Sequence, residues 1–262
     1  MNSLNQFLSY RLEKVLAASQ MSAPPVDLHE VAKASGVLSV DDCEMIPEAV
    51  ICVDGHGFRI RLQSNFAGIA GTRLRQRFSF AHEIAHTFFY ELRNGQMQPI
   101  PKAPKGDKLE SACHEAAAMI LVPDGLLTKE LRARRSEIDS PFIVQLAEAF
   151  DVSLEVMLRR LVQVRAFDST YLAFALVRRD ANSGEKIEFT VHPPWLKAIL
   201  TKPVRGTEFL AWFFSTRSPH AASTPDGQVS RRLECGQLKA RALDVRNTLR
   251  LYEIRIEHQA SM

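Results

Sequence analysis

The stretch RFSFAHEIAHTFFY, residues 77–90, places two histidines four residues apart with a glutamate directly after the first. On an α-helix, residues four apart lie on one face with Cβ atoms about 5 to 6 Å apart. His82 and His86 can therefore direct both imidazoles at a single metal ion. This spacing predicts a zinc site on a helix, and zinc at such a site activates water and polarises carbonyl groups.

Glu83 lies about 100° round the same helix from His82, so its carboxylate lies beside the metal and not on it. From there it can take a proton from a metal-activated water and pass it to the leaving amine of a cleaved amide. The stretch also admits a purely structural interpretation, in which both histidines only satisfy hydrogen bonds inside the protein.

A third ligand is needed, because catalytic zinc sites usually have three protein ligands and one open position. A second predicted helix, from about 108 to 122, offers three candidates. Glu110 and His114 are four residues apart and share a face, whereas Glu115 points about 140° away from Glu110. Spacing alone leaves Glu110 and His114 as alternatives. Glu110 can also form a capping box with Asp107 instead of binding a metal.

Capping and turn residues predict the elements that would position this site. Asp27 as N-cap predicts a short helix directly after it. Asp54-Gly55-His56-Gly57 predicts the turn of a β-hairpin. The helix with the histidines is predicted to run from about 73 to 93 and to end at Asn94-Gly95. The Pro- and Lys-rich segment 96–107 is predicted to be a connector without regular structure.

The composition of the 262 residues, 46% of them hydrophobic, predicts a folded protein of one or two domains. A formal charge of +3 is too small to indicate a nucleic-acid binder. The four cysteines have no CxxC spacing and are predicted to be small buried residues in a reducing compartment. The N-terminus lacks signal-peptide features, and no apolar stretch approaches 18 residues, so we expect a soluble cytoplasmic protein without a membrane partner.

The second half of the chain divides into a helical and a β-rich part. Two helices joined at Asp151-Val152 are predicted within residues 126–168, where Arg159 and Arg160 could meet DNA phosphates. Packing on the core is the favoured alternative for this pair, since its apolar residues have helical spacing. Beyond residue 168 we predict mainly strands, with a helix at 193–200 and a strand at 208–216.

Three segments together resemble the ImmA/IrrE family of metallopeptidases: RLRQRFSFAHEIAH, LESACHEAAAMILVP and VQLAEAFDVSLEVMLRRL. Family members show an Arg-x-x-Phe-x-x-Ala-His-Glu-x-x-His helix, a later helix that opens with Glu, and a helical pair. The resemblance spans about residues 24–165. It implies zinc ligands at His82, His86 and Glu110 and a general base at Glu83.

The second segment departs from the family pattern at three positions. Cys113 stands where Ala is usual, His114 where a small polar residue is usual, and Ala116 where an aromatic is usual. These changes concern the packing of the second helix more than its ligand. His114 and Tyr90, which would lie one helical turn beyond His86, are candidates for orienting a ligand or holding an oxyanion, with core packing as the alternative.

The resemblance implies an α+β fold with three parts. They are a mainly helical zincin-like metallopeptidase domain with a small antiparallel sheet at 1–125, a helix-turn-helix-like segment at 126–168, and a sensor-like α/β domain, similar to GAF domains, at 169–262.

The activity implied is that of a zinc-dependent endopeptidase that cuts a helix-turn-helix repressor and so derepresses stress or mobile-element genes. The alternative is a non-catalytic regulator that binds a repressor or DNA and keeps the metal for structure. DNA binding is the less favoured partnership. A closed site with His114 as fourth ligand would favour the non-catalytic regulator, because no position on the metal would remain for water. A small-molecule amide hydrolase is a further option and would need a narrow pocket.

Overall fold

The computed structural model describes residues 3–64, 72–133, 138–166, 172–180, 184–191, 222–223, 229–233, 236–246 and 249–257. Within these ranges the chain has seven α-helices and eleven strands. The predicted α+β fold class is therefore confirmed for the described residues. It forms two compact units, Met1–Arg135 with Glu148–Ser153, and Ser136–Ala147 with Leu154–Met262. In the described ranges, no helix combines the length and apolar character that crossing a membrane requires.

The first unit contains five helices and five strands. The helices are α1 (Ser3–Ala18), α2 (Leu28–Ala34), α3 (Thr72–His86), α4 (Asp107–Leu121) and α5 (Asp124–Ala133). The strands are β1 (Val37–Cys43), β2 (Ala49–Asp54), β3 (Gly57–Gln63), β4 (Tyr90–Arg93) and β5 (Gln96–Pro99).

A three-stranded sheet in the order β1-β3-β2 lies beside α3. β2 and β3 form the predicted antiparallel hairpin, with Asp54 paired to Gly57 across the turn. β1 runs parallel to β3 and was not predicted, since its acidic Asp41 and Asp42 are exposed and depleted in strands generally. The predicted N-cap is confirmed, because the Asp27 carboxylate accepts hydrogen bonds from the amides of His29 and Glu30.

The end of α3 corrects the predicted helix of 73–93. α3 ends at His86, a 3-10 turn follows at Thr87–Phe89, and β4 and β5 then form a hairpin. Asn94 and Gly95 are the two turn residues of that hairpin, with φ of 51° and 77°. Two consecutive positive φ angles are typical of the two-residue hairpin turn that Asn-Gly favours. Part of the connector predicted to be irregular is therefore strand β5.

α3 and α4 pack against each other through small buried side chains. Ala81, Ala85 and Ala117 are fully buried, and so are Cys113 and Ala116, two of the three departures from the family pattern. Small side chains let two helix backbones approach closely. The interface brings the first turn of α4 close to the last turns of α3.

The cysteines of the described residues are in different environments. Cys113 is buried, as predicted, and burial raises the pKa of its thiol. Cys43 is half-buried and Cys52 is exposed, so the prediction of small buried residues was wrong for Cys52. It lies in the second half of β2, where Val53 and Asp54 are also exposed. Cys235 lies outside the described residues.

Arg11 of α1 holds the chain that follows α3. Its Nη2 donates to the carbonyl oxygen of Tyr90 at 2.9 Å and to that of Thr87 at 3.4 Å. These carbonyls belong to the turn after α3, where a cation compensates the negative end of the helix dipole.

We expect Arg11→Met to lower the free energy of unfolding by about 1 to 3 kcal/mol, because it removes a charged donor from two part-buried carbonyls. Chemical denaturation of the full chain measures this change. Arg61→Met, the same substitution at an exposed position of β3, serves as the control. Equal stability of the two variants would contradict a role for Arg11 in holding this turn.

Two further helices follow, α6 (Ser140–Ala149) and α7 (Leu154–Gln163). Among the described residues, the second unit contains α6 as far as Ala147, all of α7 and a six-stranded sheet. The two helices occur where they were predicted, and Asp151 in their connection has a φ of 55°. The apolar residues named for this segment are buried, namely Leu146, Phe150, Val152, Met157 and Leu161.

The two arginines of α7 differ in exposure, and one of them is buried. Arg160 is 2% exposed and bonds to Gln163, so the suggestion that it meets phosphates was wrong. Arg159 is paired with Glu155 one helical turn earlier, with 2.7 Å between Nη2 and Oε1. The helical period places Arg160 on the buried side of α7.

The sheet of the second unit is built from antiparallel pairs. Its strands are β6 (Leu172–Asp180), β7 (Gly184–Val191), β8 (Ala222–Ser223), β9 (Val229–Leu233), β10 (Gly236–Arg246) and β11 (Leu249–Glu257). Their order is β7-β6-β11-β10-β9-β8. The predicted pairing of β6 with β7 is confirmed, whereas β10 was not predicted. The predicted helix at 193–200 and strand at 208–216 lie outside the described residues, as does the predicted domain start at 169.

A buried carboxylate from β11 caps the start of α6. Glu253 is 5% exposed and accepts hydrogen bonds from the Ser140 amide at 2.9 Å and from the Ser140 hydroxyl at 3.1 Å. A carboxylate at a helix N-terminus satisfies a backbone donor that the helix itself leaves unpaired.

We expect Glu253→Gln to lower the free energy of unfolding by about 1 to 3 kcal/mol, since charge-assisted hydrogen bonds are lost in a buried place. Thermal or chemical unfolding monitored by circular dichroism measures the loss. Glu155→Gln, which breaks only an exposed ion pair on α7, is the matched control and should cost less than about 1 kcal/mol. A larger loss for the control would contradict this expectation.

Candidate metal centre

The two histidines of α3 converge through the same ring atom. His82 Nε2 and His86 Nε2 are 3.2 Å apart, and the ring planes are inclined by 76°. Each neutral imidazole has one nitrogen lone pair. With both Nε2 atoms unprotonated, the two lone pairs are directed at one region of space, which is the arrangement that a metal ion requires.

Glu110 reaches this pair from the first turn of α4. Its Oε2 lies 3.1 Å from His82 Nε2, and its Oε1 lies 3.8 Å from His86 Nε2. Ligands bound to zinc at about 2.0 to 2.1 Å in a tetrahedral arrangement are about 3.3 Å from one another. The spacings of the three side chains therefore suit zinc, as does the donor set of two imidazoles and a carboxylate.

The competing role for Glu110 is not realised. The N-cap of α4 is Gly106, and no side chain makes a capping hydrogen bond there. Asp107 is the first residue inside the helix, so the capping box with Glu110 is not formed. In the part of the chain that the structure describes, His82, His86 and Glu110 are the group of three potential ligands whose donor atoms lie within 4.8 Å of one another.

Burial keeps both histidines in the neutral form that binds metals. It lowers the pKa of His82 to about 4, helped by the nearby His86 and His114 and opposed by the Glu110 carboxylate. Burial also lowers the pKa of His86. The other ring nitrogen of His82, Nδ1, is buried and has no hydrogen-bond partner among the described residues. An unpaired buried group is costly, and such groups are characteristic of sites where function outweighs stability.

His114 lies next to the three ligands but does not join them. Its Nδ1 lies 2.8 Å from the carbonyl oxygen of Glu110, a bond in which Nδ1–H donates. Its ring meets that of His82 edge-to-face, with centroids 4.5 Å apart. Because His114 is outside this cluster, the described residues offer three side chains that could hold a metal ion.

Tyr90 is not brought to the cluster. α3 ends before it, so the expectation that Tyr90 lies one helical turn beyond His86 was wrong. Its ring packs edge-to-face on Phe58 of β3, with centroids 5.4 Å apart. This contact corresponds to the core-packing alternative.

Glu83 faces β2 beside the ligands. Burial raises the pKa of the Glu83 carboxyl to about 7, the amide of Ile51 lowers it by hydrogen bonding, and the charge of Glu110 raises it further. A carboxyl group with a pKa near neutrality can both take up and release a proton under ordinary conditions. Glu83 therefore has the position and the acidity of a general base.

A cleft of about 680 Å³ runs past His82 and Glu83. Phe78, Ser79 and His114 also line it, and the segment 46–49 at the start of β2 contributes to the lining. Its volume is within the range usual for ligand sites. The sequence did not indicate the segment 46–49, since it is separated from α3 by more than twenty residues and has no motif of its own.

The arginines at the start of α3 are paired within the first unit. Arg73 and Arg77 both bond to Asp151, with 3.2 Å between Arg77 Nε and Asp151 Oδ2. Arg75 is paired with Glu48. The carboxylates offset the unfavourable interaction of these cations with the positive end of the helix dipole.

Comparison with known proteins identifies the segment that carries this site. Residues 70–162 match the Peptidase M78 model, described as an IrrE N-terminal-like domain. A solved structure, a Mycobacterium tuberculosis transcriptional regulator, is similar with a TM-score of 0.48 and 15% sequence identity, over 96% of this chain and 76% of that chain. No curated protein matches the chain in sequence. The matched segment contains His82, Glu83, His86 and Glu110, so the part of the chain that carries the site is similar to the IrrE N-terminal-like peptidase domain.

Proposed function

We propose that the chain is a zinc-dependent endopeptidase. The observation that carries this proposal is the convergence of His82, His86 and Glu110 within 3.1 to 3.8 Å, at a cleft that Glu83 also lines. Bound there, zinc would polarise the peptide carbonyl and make water more acidic. The peptidase family of the matched segment supports the same reaction class.

Side chains of the protein itself carry out the proton transfers and shape the site. The Glu83 carboxylate takes a proton from the attacking water and later delivers it to the nitrogen of the leaving amine. Hydrogen bonding from the backbone of Ile51 lowers the pKa of this carboxyl and so favours the charged form that accepts the proton. His114, with Nδ1–H bound to the Glu110 carbonyl, holds the backbone of the first turn of α4 and lines the cleft.

The proposed substrate is a protein, specifically a helix-turn-helix repressor whose cleavage releases transcription of stress or mobile-element genes. An extended peptide suits the site because β2 is an edge strand of its sheet, with β3 as its partner among the described strands. Edge strands bind extended peptides by strand addition. A small-molecule amide hydrolase would need a narrow pocket. The space beside His82 and Glu83 is instead a cleft of about 680 Å³.

For the rest of the chain we propose the roles that the resemblance implies. The metallopeptidase part is zincin-like, residues 126–168 are helix-turn-helix-like, and residues 169–262 form a GAF-like sensor domain in a cytoplasmic protein. The antiparallel sheet of β6 to β11 is compatible with a sensor domain. The ligand of such a domain would control when the repressor is cut.

The proposal is tested by mixing the purified full chain with a repressor encoded beside its gene. With added zinc, discrete repressor fragments are expected, and mass spectrometry identifies the cut bond. A metal chelator is expected to stop the cleavage, and zinc added in excess is expected to restore it. An intact repressor in the presence of zinc and of every candidate activating signal would count against the proposal.

The alternative, a non-catalytic regulator that keeps the metal for structure, requires a fourth ligand to close the site. Among the described residues His114 does not take that position. The buried Arg160 also weakens the case for DNA as a partner. Repressor binding without fragments, together with a fully coordinated metal, is the result that would favour this alternative.

A further inference from the structure

Glu48 lies where the chain enters β2, and its side chain is directed at α3. Its carbonyl oxygen accepts a hydrogen bond of 2.8 Å from the Gln63 amide at the end of β3. One carboxylate oxygen, Oε2, accepts a hydrogen bond of 2.8 Å from the Ser79 hydroxyl. The other, Oε1, is paired with the guanidinium of Arg75. The Glu48 side chain is 22% exposed and thus largely enclosed by these partners.

Both partners of the Glu48 carboxylate lie on the face of α3 that leads to Glu83. Arg75, Ser79 and Glu83 follow one another at intervals of four residues, so they lie on one side of the helix. A second link joins α3 to β3, the strand paired with β2, because Gln76 Nε2 donates to the carbonyl oxygen of Gln63 at 3.2 Å. The start of β2 is therefore fastened to the two turns of α3 that precede Glu83.

Further along the same strand β2 remains in contact with α3, and hydrogen bonding from the Ile51 backbone lowers the pKa of the Glu83 carboxyl. Ile51 is three residues from Glu48, about 10 Å along a strand. Glu83 is four residues from Ser79, about 6 Å along a helix. Strand and helix are thus joined at two neighbouring points, one made by Glu48 and one made by Glu83.

We propose that Glu48 is a positioning residue: by holding the start of β2 against α3, it keeps the Ile51 amide in place beside the Glu83 carboxylate. The proposal deepens the proposed endopeptidase function and rests on it for its catalytic consequence. Glu48 does not touch the metal ligands, since His82 and His86 come from the last turns of α3 and Glu110 comes from α4. Its loss should therefore affect the general base and leave zinc binding unchanged.

The first test compares Glu48→Ala with Glu48→Gln in the full chain. We expect Glu48→Ala to lower kcat by about 10- to 100-fold with KM changed less than about threefold, because misplacement of a catalytic group by about 1 Å has effects of this size. Zinc stoichiometry should remain as in the unmodified chain. Glu48→Gln keeps an acceptor for the Ser79 hydroxyl, so it should restore much of the lost rate.

Asp54→Asn is the matched control. It breaks the exposed ion pair of Asp54 with Arg59, 2.9 Å long, at the other end of β2, and should leave kcat unchanged. A rise in KM with unchanged kcat in Glu48→Ala would overturn the proposal, since it would mean that Glu48 contacts substrate. A lower melting temperature with unchanged kcat for the folded fraction would also overturn it.

A second readout does not depend on cleavage. Hydrogen–deuterium exchange at the Ile51 amide, resolved by NMR or by fragmentation, should be at least about tenfold faster in Glu48→Ala than in Asp54→Asn, because a loosened strand opens more often. Unchanged exchange at Ile51 would overturn the proposal. If the unmodified chain cuts no repressor, the endopeptidase function fails, and the Ile51 exchange rate still decides whether Glu48 positions this strand.

Discussion

Replacing Glu83 with Gln is expected to lower the cleavage rate by about 10²- to 10⁴-fold, the usual contribution of a general base. The amide side chain has nearly the same shape as the carboxylate but cannot take up a proton at neutral pH. Zinc should remain bound at full stoichiometry, because Glu83 is not part of the cluster of His82, His86 and Glu110. This separation of activity from metal content distinguishes a base from a ligand.

Two measurements on the same preparation decide the role of Glu83. The first is the rate at which repressor fragments appear, and the second is the zinc content by atomic emission spectroscopy. Glu13→Gln makes the same chemical change at an exposed position of α1 and should leave both values unchanged. Cleavage at the normal rate by Glu83→Gln would refute its role as the base, whereas loss of zinc would show that it binds the metal.

Replacing Glu110 with Ala is expected to weaken zinc binding by at least about 100-fold, since even residues that only orient ligands contribute 10- to 100-fold. The Glu110 carboxylate lies 3.1 Å from His82 Nε2, and its removal leaves two imidazoles to hold the ion. Because less zinc is bound, the cleavage rate at limiting zinc should also fall. Competition against a chromophoric chelator measures the dissociation constant of the metal directly.

Glu115→Ala is the matched control for this substitution. Glu115 lies on the same helix but points about 140° away from Glu110, so its loss should leave zinc affinity unchanged. Normal zinc affinity in Glu110→Ala would remove Glu110 from the site. His114→Ala would then be the next variant to measure, because His114 lies beside His82 with ring centroids 4.5 Å apart.

Local patterns in the sequence were sufficient for features that depend on one element. His82, Glu83 and His86 lie on one helix, and the helical period alone determines which faces they occupy. The N-cap Asp27 and the β2–β3 turn were likewise predicted correctly, because each involves contacts between residues a few positions apart.

Local patterns failed where two structures use the same residues. Asn94-Gly95 can end a helix or form a hairpin turn, and the choice depends on whether the chain on either side pairs as strands. Here β4 and β5 pair, so α3 ends at His86. Tyr90 consequently leaves the helical face on which it had been placed.

The sequence by itself determined the two histidines, the glutamate between them and the resemblance of this segment to a peptidase family. Only the tertiary structure decided that the Glu110 carboxylate, and not a nitrogen of His114, lies beside His82 Nε2. It also decided that Glu48 fastens β2 to α3 across 31 residues. The physical reason is that such contacts depend on how separate elements pack. Close packing of α3 on α4 through alanines and Cys113 brings the Glu110 carboxylate to His82, whereas the Nδ1 of His114 is bound to its own helix.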